Sequence, residues 1–277
     1  GDKRIILDFW PWRRGKIVYT ISDQAPAEIL ISSEGYCEWK KLDHFPQSCL
    51  PIGVNPRVGF APQLRDLKKF RKDPRSLKIF FAGNCDPASY DNRSLAAAFQ
   101  VRTRTHLVKE SVNVLNKIDP LGKFWEINDF YWSNKQCSKL EGRVDESVWL
   151  AKLSESFFFL CPPGISGPMC HNAIEAMAVG TVPVLEYASL FSPPLEHGVN
   201  CIDLSSFENI DDAIKEILSF KHEDWLQISN AAANYYDDHI DHVSVLYRIE
   251  SVLSEKSGMT LYTHSDYFSQ KFSAGIS

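Results

Sequence analysis

Long apolar runs are missing from this chain: nothing in it approaches the ~20 consecutive residues that a membrane span requires. The first residues are not expected to be a leader either, because the apolar stretch 5–12 is short and closely flanked by charge. The seven cysteines (37, 49, 85, 137, 161, 170 and 201) form no Cys-x-x-Cys pair. That speaks against a zinc site and for a scatter of reduced thiols, as in a cytoplasmic, soluble protein. No Gly-x-Gly-x-x-Gly fingerprint occurs, which weakens an oxidoreductase reading. No Asp-x-Asp triplet occurs, the usual bridge between a divalent metal and a diphosphate. The net charge of −5 gives a nucleic-acid partner no bulk electrostatic support. No internal repeat or low-complexity tract is found.

What is present is a globular composition, 44% hydrophobic and 23% charged over 277 residues. The aromatic share, 12% with seven Trp, leans high and is read first as large core residues. Segments 4–9, 16–21 and 28–32 read as short strands, followed by a loop-rich stretch over 33–56 and short basic helix over 64–71. From Leu77 the pattern becomes regular. Strands are expected over 77–82, 124–127, 157–161, 181–185 and 199–204. Helices are expected over 93–100, 104–118, 145–155 with an Asp145 cap, 210–220, 222–236 and 239–254. Strands alternating with helices at this spacing predict a doubly wound, parallel α/β sheet. The domain boundaries expected are 1–74, 75–255 and a tail, 256–277, that packs back on the first domain.

The stretch 156–187, SFFFLCPPGISGPMCHNAIEAMAVGTVPVLEY, carries the most chemistry. A buried strand runs into a Gly/Pro loop. Pro168 suits the first turn of a helix, and Gly180 suits its left-handed C-cap. A glycine loop that feeds a helix N-terminus offers backbone N–H groups and a positive dipole end to a phosphate. His171 and Glu175 lie one turn apart on that helix. His171 can meet a phosphate or sugar oxygen, and Glu175 can accept hydrogen bonds from vicinal sugar hydroxyls. A surface ion pair is the plainer reading of the two, and a metal pair lacks further ligands. Upstream, a strand ends in Gly83-Asn84 and Arg93 opens the next helix, where a guanidinium can clamp a diphosphate. A turn plus a surface arginine is the plainer alternative. The sequon Asn92-Arg93-Ser94 falls at this same place, where a glycan would obstruct a ligand.

FFAGN and NRSL, followed by FFFLCPPG, HNAIEAMAVG and TVPVLEY, resemble the exostosin-type glycosyltransferases in order and rough spacing over about 75–204. The resemblance implies a GT-B-like fold, with the parallel Rossmann-like sheet C-terminal to a smaller strand-rich domain. It implies a UDP-linked nucleotide-sugar donor, inversion at the anomeric carbon, a glycan or glycoprotein acceptor and no required metal. The donor sugar expected is a pentose such as xylose. Donor binding is carried onto Gly83, Asn84, Arg93, Pro163, Gly164 and Glu175, and the loop N–H groups through Gly167 join them. The chain departs from the family where His171 and Asn172 stand in place of its usual Arg, so His171 is the substitute phosphate partner. Within these 277 residues no segment is expected to serve as the family's usual membrane anchor, and the N-terminal part is short for the family's acceptor domain. Inverting transfer needs a general base from the N-terminal side of the cleft. Asp8 and Asp23 are the candidates, with Asp43 and His44 next. The alternative is a catalytically inactive glycan- or nucleotide-binding module of the same fold.

Overall fold

The computed structural model describes residues 17–20, 28–32, 67–129, 144, 147–165, 167–254 and 261–262. Strands β1 (Ile17–Thr20) and β2 (Glu28–Ser32) pair antiparallel, and β8 (Leu261–Tyr262) adds parallel to β2. The segments 4–9 and 33–56 lie outside the described residues.

The larger sheet is five-stranded and wholly parallel. It comprises β3 (Leu77–Gly83), β4 (Trp125–Asp129), β5 (Ser156–Leu160), β6 (Val182–Leu185) and β7 (Ile202–Asp203). The spatial order is β4-β3-β5-β6-β7. Its central strands are continuous apolar runs because both faces are covered. Successive side chains on β5 show this directly. Phe157 meets Trp225 and Phe159 meets Trp149 on one face, with ring centroids 4.7 and 5.9 Å apart. Phe158 points the other way and meets Phe220 at 5.4 Å. So α5 (Trp149–Ser154) and α8 (His222–Tyr235) cover one face. The chain at the end of α7 (Ile210–Ser219) covers the other, where α4 (Arg104–Ile118) packs beside α7. The α/β class and doubly wound parallel sheet are therefore as expected from the alternation of elements. No helix of the described residues is long and apolar enough to cross a membrane.

Several boundaries differ from expectation for identifiable reasons. The short basic helix α1 is confined to Leu67–Phe70. Helix α3 (Arg93–Phe99) stops at a left-handed Gln100. Helix α5 begins at Trp149 behind Val148, which makes no side-chain cap, so the cap expected at Asp145 does not start it. Pro168 is not in the first turn: α6 (His171–Ala178) starts behind Cys170, and the Pro168 carbonyl instead accepts the Gly164 N–H at 3.1 Å. Strand β7 is short because the chain at 196–201 is a turn, with Gly198 at φ +72° donating to the Cys201 carbonyl. Tyr236–Ile240 continues α8 as a π turn, and the Asp241 N–H reaches the Tyr236 carbonyl at 2.8 Å. Helix α9 therefore spans His242–Ser254.

The end of α6 is fixed as the glycine signal implied. Gly180 is left-handed at φ +72°. Its N–H bonds to the Met177 carbonyl and the Thr181 N–H to the Ala176 carbonyl, the Schellman pattern. Two arginines take carbonyls that remain. Arg71 Nε donates to the Ala178 carbonyl at 2.9 Å, and its guanidinium forks onto Asp237 with both contacts at 2.7 Å. Arg75 donates to the carbonyls of Ser156 and Val179, each at 2.8 Å, and to Thr181 Oγ1 at 2.6 Å. Burial lowers the Arg75 guanidinium to about 10, against the opposing pull of Asp73. Arg71 lies just ahead of the expected boundary at Asp73-Pro74 and is bonded into the α/β unit.

Arg75→Met is expected to lower unfolding free energy by ~2–4 kcal/mol, since it leaves buried acceptors unpaired. Urea unfolding with an unchanged slope is the measurement.

Candidate functional site

In a sheet of this order the chain leaves β3 toward one side for β4 and returns to β3's other side for β5. The crevice at such a reversal lies beyond the carboxyl ends of the two strands. Here those ends carry the two loops that the sequence singled out. Gly83 and Asn84 end β3, and residues 161–170 follow β5.

One side chain joins them. Arg104, the first residue of α4, donates from Nη1 to the Asn84 carbonyl at 3.2 Å and from Nε to the Pro163 carbonyl at 2.8 Å. It is 7% exposed, and its guanidinium lies 4.1 Å from the centre of the Tyr90 ring in α2 (Pro87–Tyr90). The charge is thus stabilised by carbonyl dipoles and an aromatic face. Gly83 packs beside it: a Cβ there would come within 2.9 Å of the Phe81 ring, so that ring would have to shift, and would stand in ordinary contact, 3.6 Å, with Arg104 Nη1. Asn84 is buried, and its Oδ1 accepts the Asp86 N–H at 2.9 Å.

The loop after β5 closes on itself. A Cβ on Gly164 would meet the Gly167 carbonyl at 2.6 Å and the Met169 carbonyl at 3.2 Å. Pro163 and Gly167 are buried. The Gly164 N–H, expected to be open to an anion, is taken by Pro168. Close packing inside the loop outweighs solvent access there. Beneath the loop, burial raises the Cys161 thiol well above its ordinary range, with Cys170 adding to the effect. Burial likewise raises the Tyr187 phenol, whose oxygen lies 3.8 Å from Cys170 Sγ. Both groups stay protonated at neutral pH. Cys85, Cys161, Cys170 and Cys201 are all free thiols.

The remaining site candidates fall in three places. Arg93 opens α3 behind its Asn92 cap and is 88% exposed, with Nε 3.8 Å from Asp91 Oδ2. His171 is half-buried at the start of α6. Glu175 differs from expectation: it is 1% exposed, and its Oε2 accepts the Trp149 indole N–H at 2.6 Å. Helix α6 turns this residue toward α5, away from solvent, because α5 packs against that flank. Asp8, Asp23, Asp43 and His44 lie outside the described residues. Among the described residues, no cluster of His, Cys, Asp and Glu could hold a metal ion.

Arg104 and Glu186 were not singled out from the sequence. The signal that marked Arg93, an arginine opening a helix soon after β3, applied equally to Arg104 behind Thr103. Glu186 follows directly on β6 and so reaches the same sheet edge.

No family model and no curated protein matches the chain. Among solved structures, an α1,3-fucosyltransferase is similar at 17% identity over 74% of this chain and 52% of that one, TM-score 0.40. HepE from Anabaena, in complex with UDP and glucose, is similar at 15% identity over 77% of this chain and 56% of that one, TM-score 0.38. A sucrose-phosphate synthase from Thermosynechococcus elongatus is similar at 14% identity over 82% and 57%, TM-score 0.42. The chain spans little more than half the length of each.

Glu175→Gln keeps an acceptor oxygen for the Trp149 indole, whereas Glu175→Leu leaves that N–H unpaired in the interior. Urea unfolding should show near-native stability for the first variant and a loss of ~1–3 kcal/mol for the second.

Proposed function

We propose that the chain is an inverting glycosyltransferase of GT-B-like architecture that moves a sugar from a UDP-linked donor to a hydroxyl of a glycan or glycoprotein. The observation that carries this reading is the meeting of two strand-end loops, 83–84 and 161–164, across the β3–β5 reversal under one buried arginine. A nucleotide diphosphate suits that edge of a parallel sheet, where the N-terminus of α6 presents its positive dipole end. Arg93, exposed at the head of α3, supplies a cation for the departing diphosphate. His171 at the head of α6 is the second polar partner. Glu175 is buried with its Oε2 on the Trp149 indole, so it comes second as a ribose acceptor, and the first nucleotide contacts are assigned to the two loops, Arg93 and His171.

The chemistry is a single displacement. The acceptor oxygen bonds to the anomeric carbon as the bond from that carbon to the diphosphate oxygen breaks. UDP leaves with the electron pair, and the acceptor's proton passes to a carboxylate, for which Asp8 and Asp23 are the candidates. Fixed dipoles and Arg93 stabilise the charge that develops on the diphosphate, so no divalent ion is required. The donor sugar is proposed to be a pentose such as xylose.

UDP at 100 times its dissociation constant should add ~2.7 kcal/mol of stability, read as a rise in melting temperature. The absence of any shift with UDP or GDP would overturn the reading. Transfer should persist in EDTA. Asn at the true base, Asp8 or Asp23, should cut turnover by ~10²–10⁴ with donor affinity retained.

A further inference from the structure

Glu186 is the first residue beyond β6, and its side chain is only 6% exposed. A carboxylate held there needs strong partners, and Arg102 provides two. The Arg102 backbone N–H donates to Oε2 at 2.8 Å, and its guanidinium Nη1 donates to Oε1. Arg102 is also held from the other side, with Nε 2.9 Å from Glu110 Oε2 in the second turn of α4. Glu110 in turn pairs with His106 Nε2 at 3.2 Å. Only Thr103, the cap of α4, separates Arg102 from Arg104. The backbone that enters α4 is therefore pinned to the end of β6 two residues before the side chain that ties β3 to β5.

We propose that Glu186 is a positioning residue for the donor site: through Arg102 it fixes the entry of α4 and so the reach of Arg104 across loops 83–84 and 161–164. The proposal rests on the donor-site reading above. Neutralising Glu186 keeps its shape but removes the charge that holds Arg102. The start of α4 then gains freedom, and Arg104 no longer sets the spacing of the two loops. Misplacement of ~1 Å at a binding constellation is enough to matter at this scale.

The test uses the full 277-residue chain, with UDP as the probe and calorimetric titration as the readout. Glu186→Gln is expected to raise the UDP dissociation constant about tenfold, and Arg104→Lys to do likewise. The double variant should lie within about twofold of the weaker single, because the two residues act as one unit. Arg102→Lys, which keeps the charge but loses the fork, provides a second variant if Glu186→Gln folds poorly, and should weaken binding in the same direction. Arg71→Lys is the control for stability alone: it disrupts the paired contact with Asp237 and should lower the melting temperature with UDP affinity within about twofold of wild type. UDP affinity within twofold of wild type in both Glu186→Gln and Arg102→Lys would overturn the proposal, as would a loss of affinity in Arg71→Lys equal to theirs. Wild-type protein that binds neither UDP nor GDP would overturn the donor-site reading and the proposal with it.

Discussion

The buried guanidinium of Arg104 is the contact on which the carboxyl edge of the sheet depends. Strands β3 and β5 are neighbours in the sheet, but their following loops leave in different directions, one to α2 and α3 and the other to α6. Nothing in strand pairing fixes those loops to each other. Arg104 does so with two carbonyl bonds, at 3.2 and 2.8 Å, while Tyr90 covers one face of its guanidinium. A lysine could not reproduce this, because the two acceptors need donors at a fixed angle. The surroundings follow from that constraint. A Cβ at Gly83 would crowd the Phe81 ring, and Gly164 must lack one so that the second loop can fold back on Gly167 and Met169.

The two edges of the sheet solve different problems. At the amino edge Arg71 and Arg75 hold the end of α6 and the starts of β5 and β6. Two of these bonds, to the Ala178 and Val179 carbonyls, lie at a helix C-terminus, where a positive charge is favoured. They leave little exposed chemistry and serve stability. At the carboxyl edge Arg102, Arg104 and Glu186 also serve structure, but the helix starts near them carry the exposed Arg93 and the half-buried His171. Rigid support beneath a few accessible polar groups is the arrangement a binding site needs, because ordering has already been completed before a ligand arrives.

Glu175 shows how helix facing sets the surroundings of a candidate side chain. By type and spacing it was a plausible acceptor for sugar hydroxyls, one turn beyond His171. Its position on the flank of α6 that meets α5 places it in the interior, with the Trp149 indole as its partner. The same rotation keeps His171 half-buried. The Gly164 N–H was likewise a reasonable donor to an anion, and the loop's own closure assigns it to Pro168.

The sequence by itself determined the class of the fold, since continuous apolar runs such as FFF in β5, alternating with helical segments, suit a parallel sheet covered by helices on both faces. It determined the left-handed stop at Gly180, a local property of a residue without a Cβ, and it marked the two loops through their Gly and Pro content. Helix 104–118 was legible as a helix, and the structure adds its Thr103 cap, whereas the start of α5 was not legible, because Val148 offers no capping side chain. Only the tertiary structure decided the strand order and therefore that the two loops meet, because order in a parallel sheet is set by crossovers between distant segments. Only it selected Arg104 over Arg93 as the buried link, and Glu186 as the partner of Arg102. Two arginines at two helix starts look alike along the chain, and which one is buried depends on carbonyls up to 59 positions away.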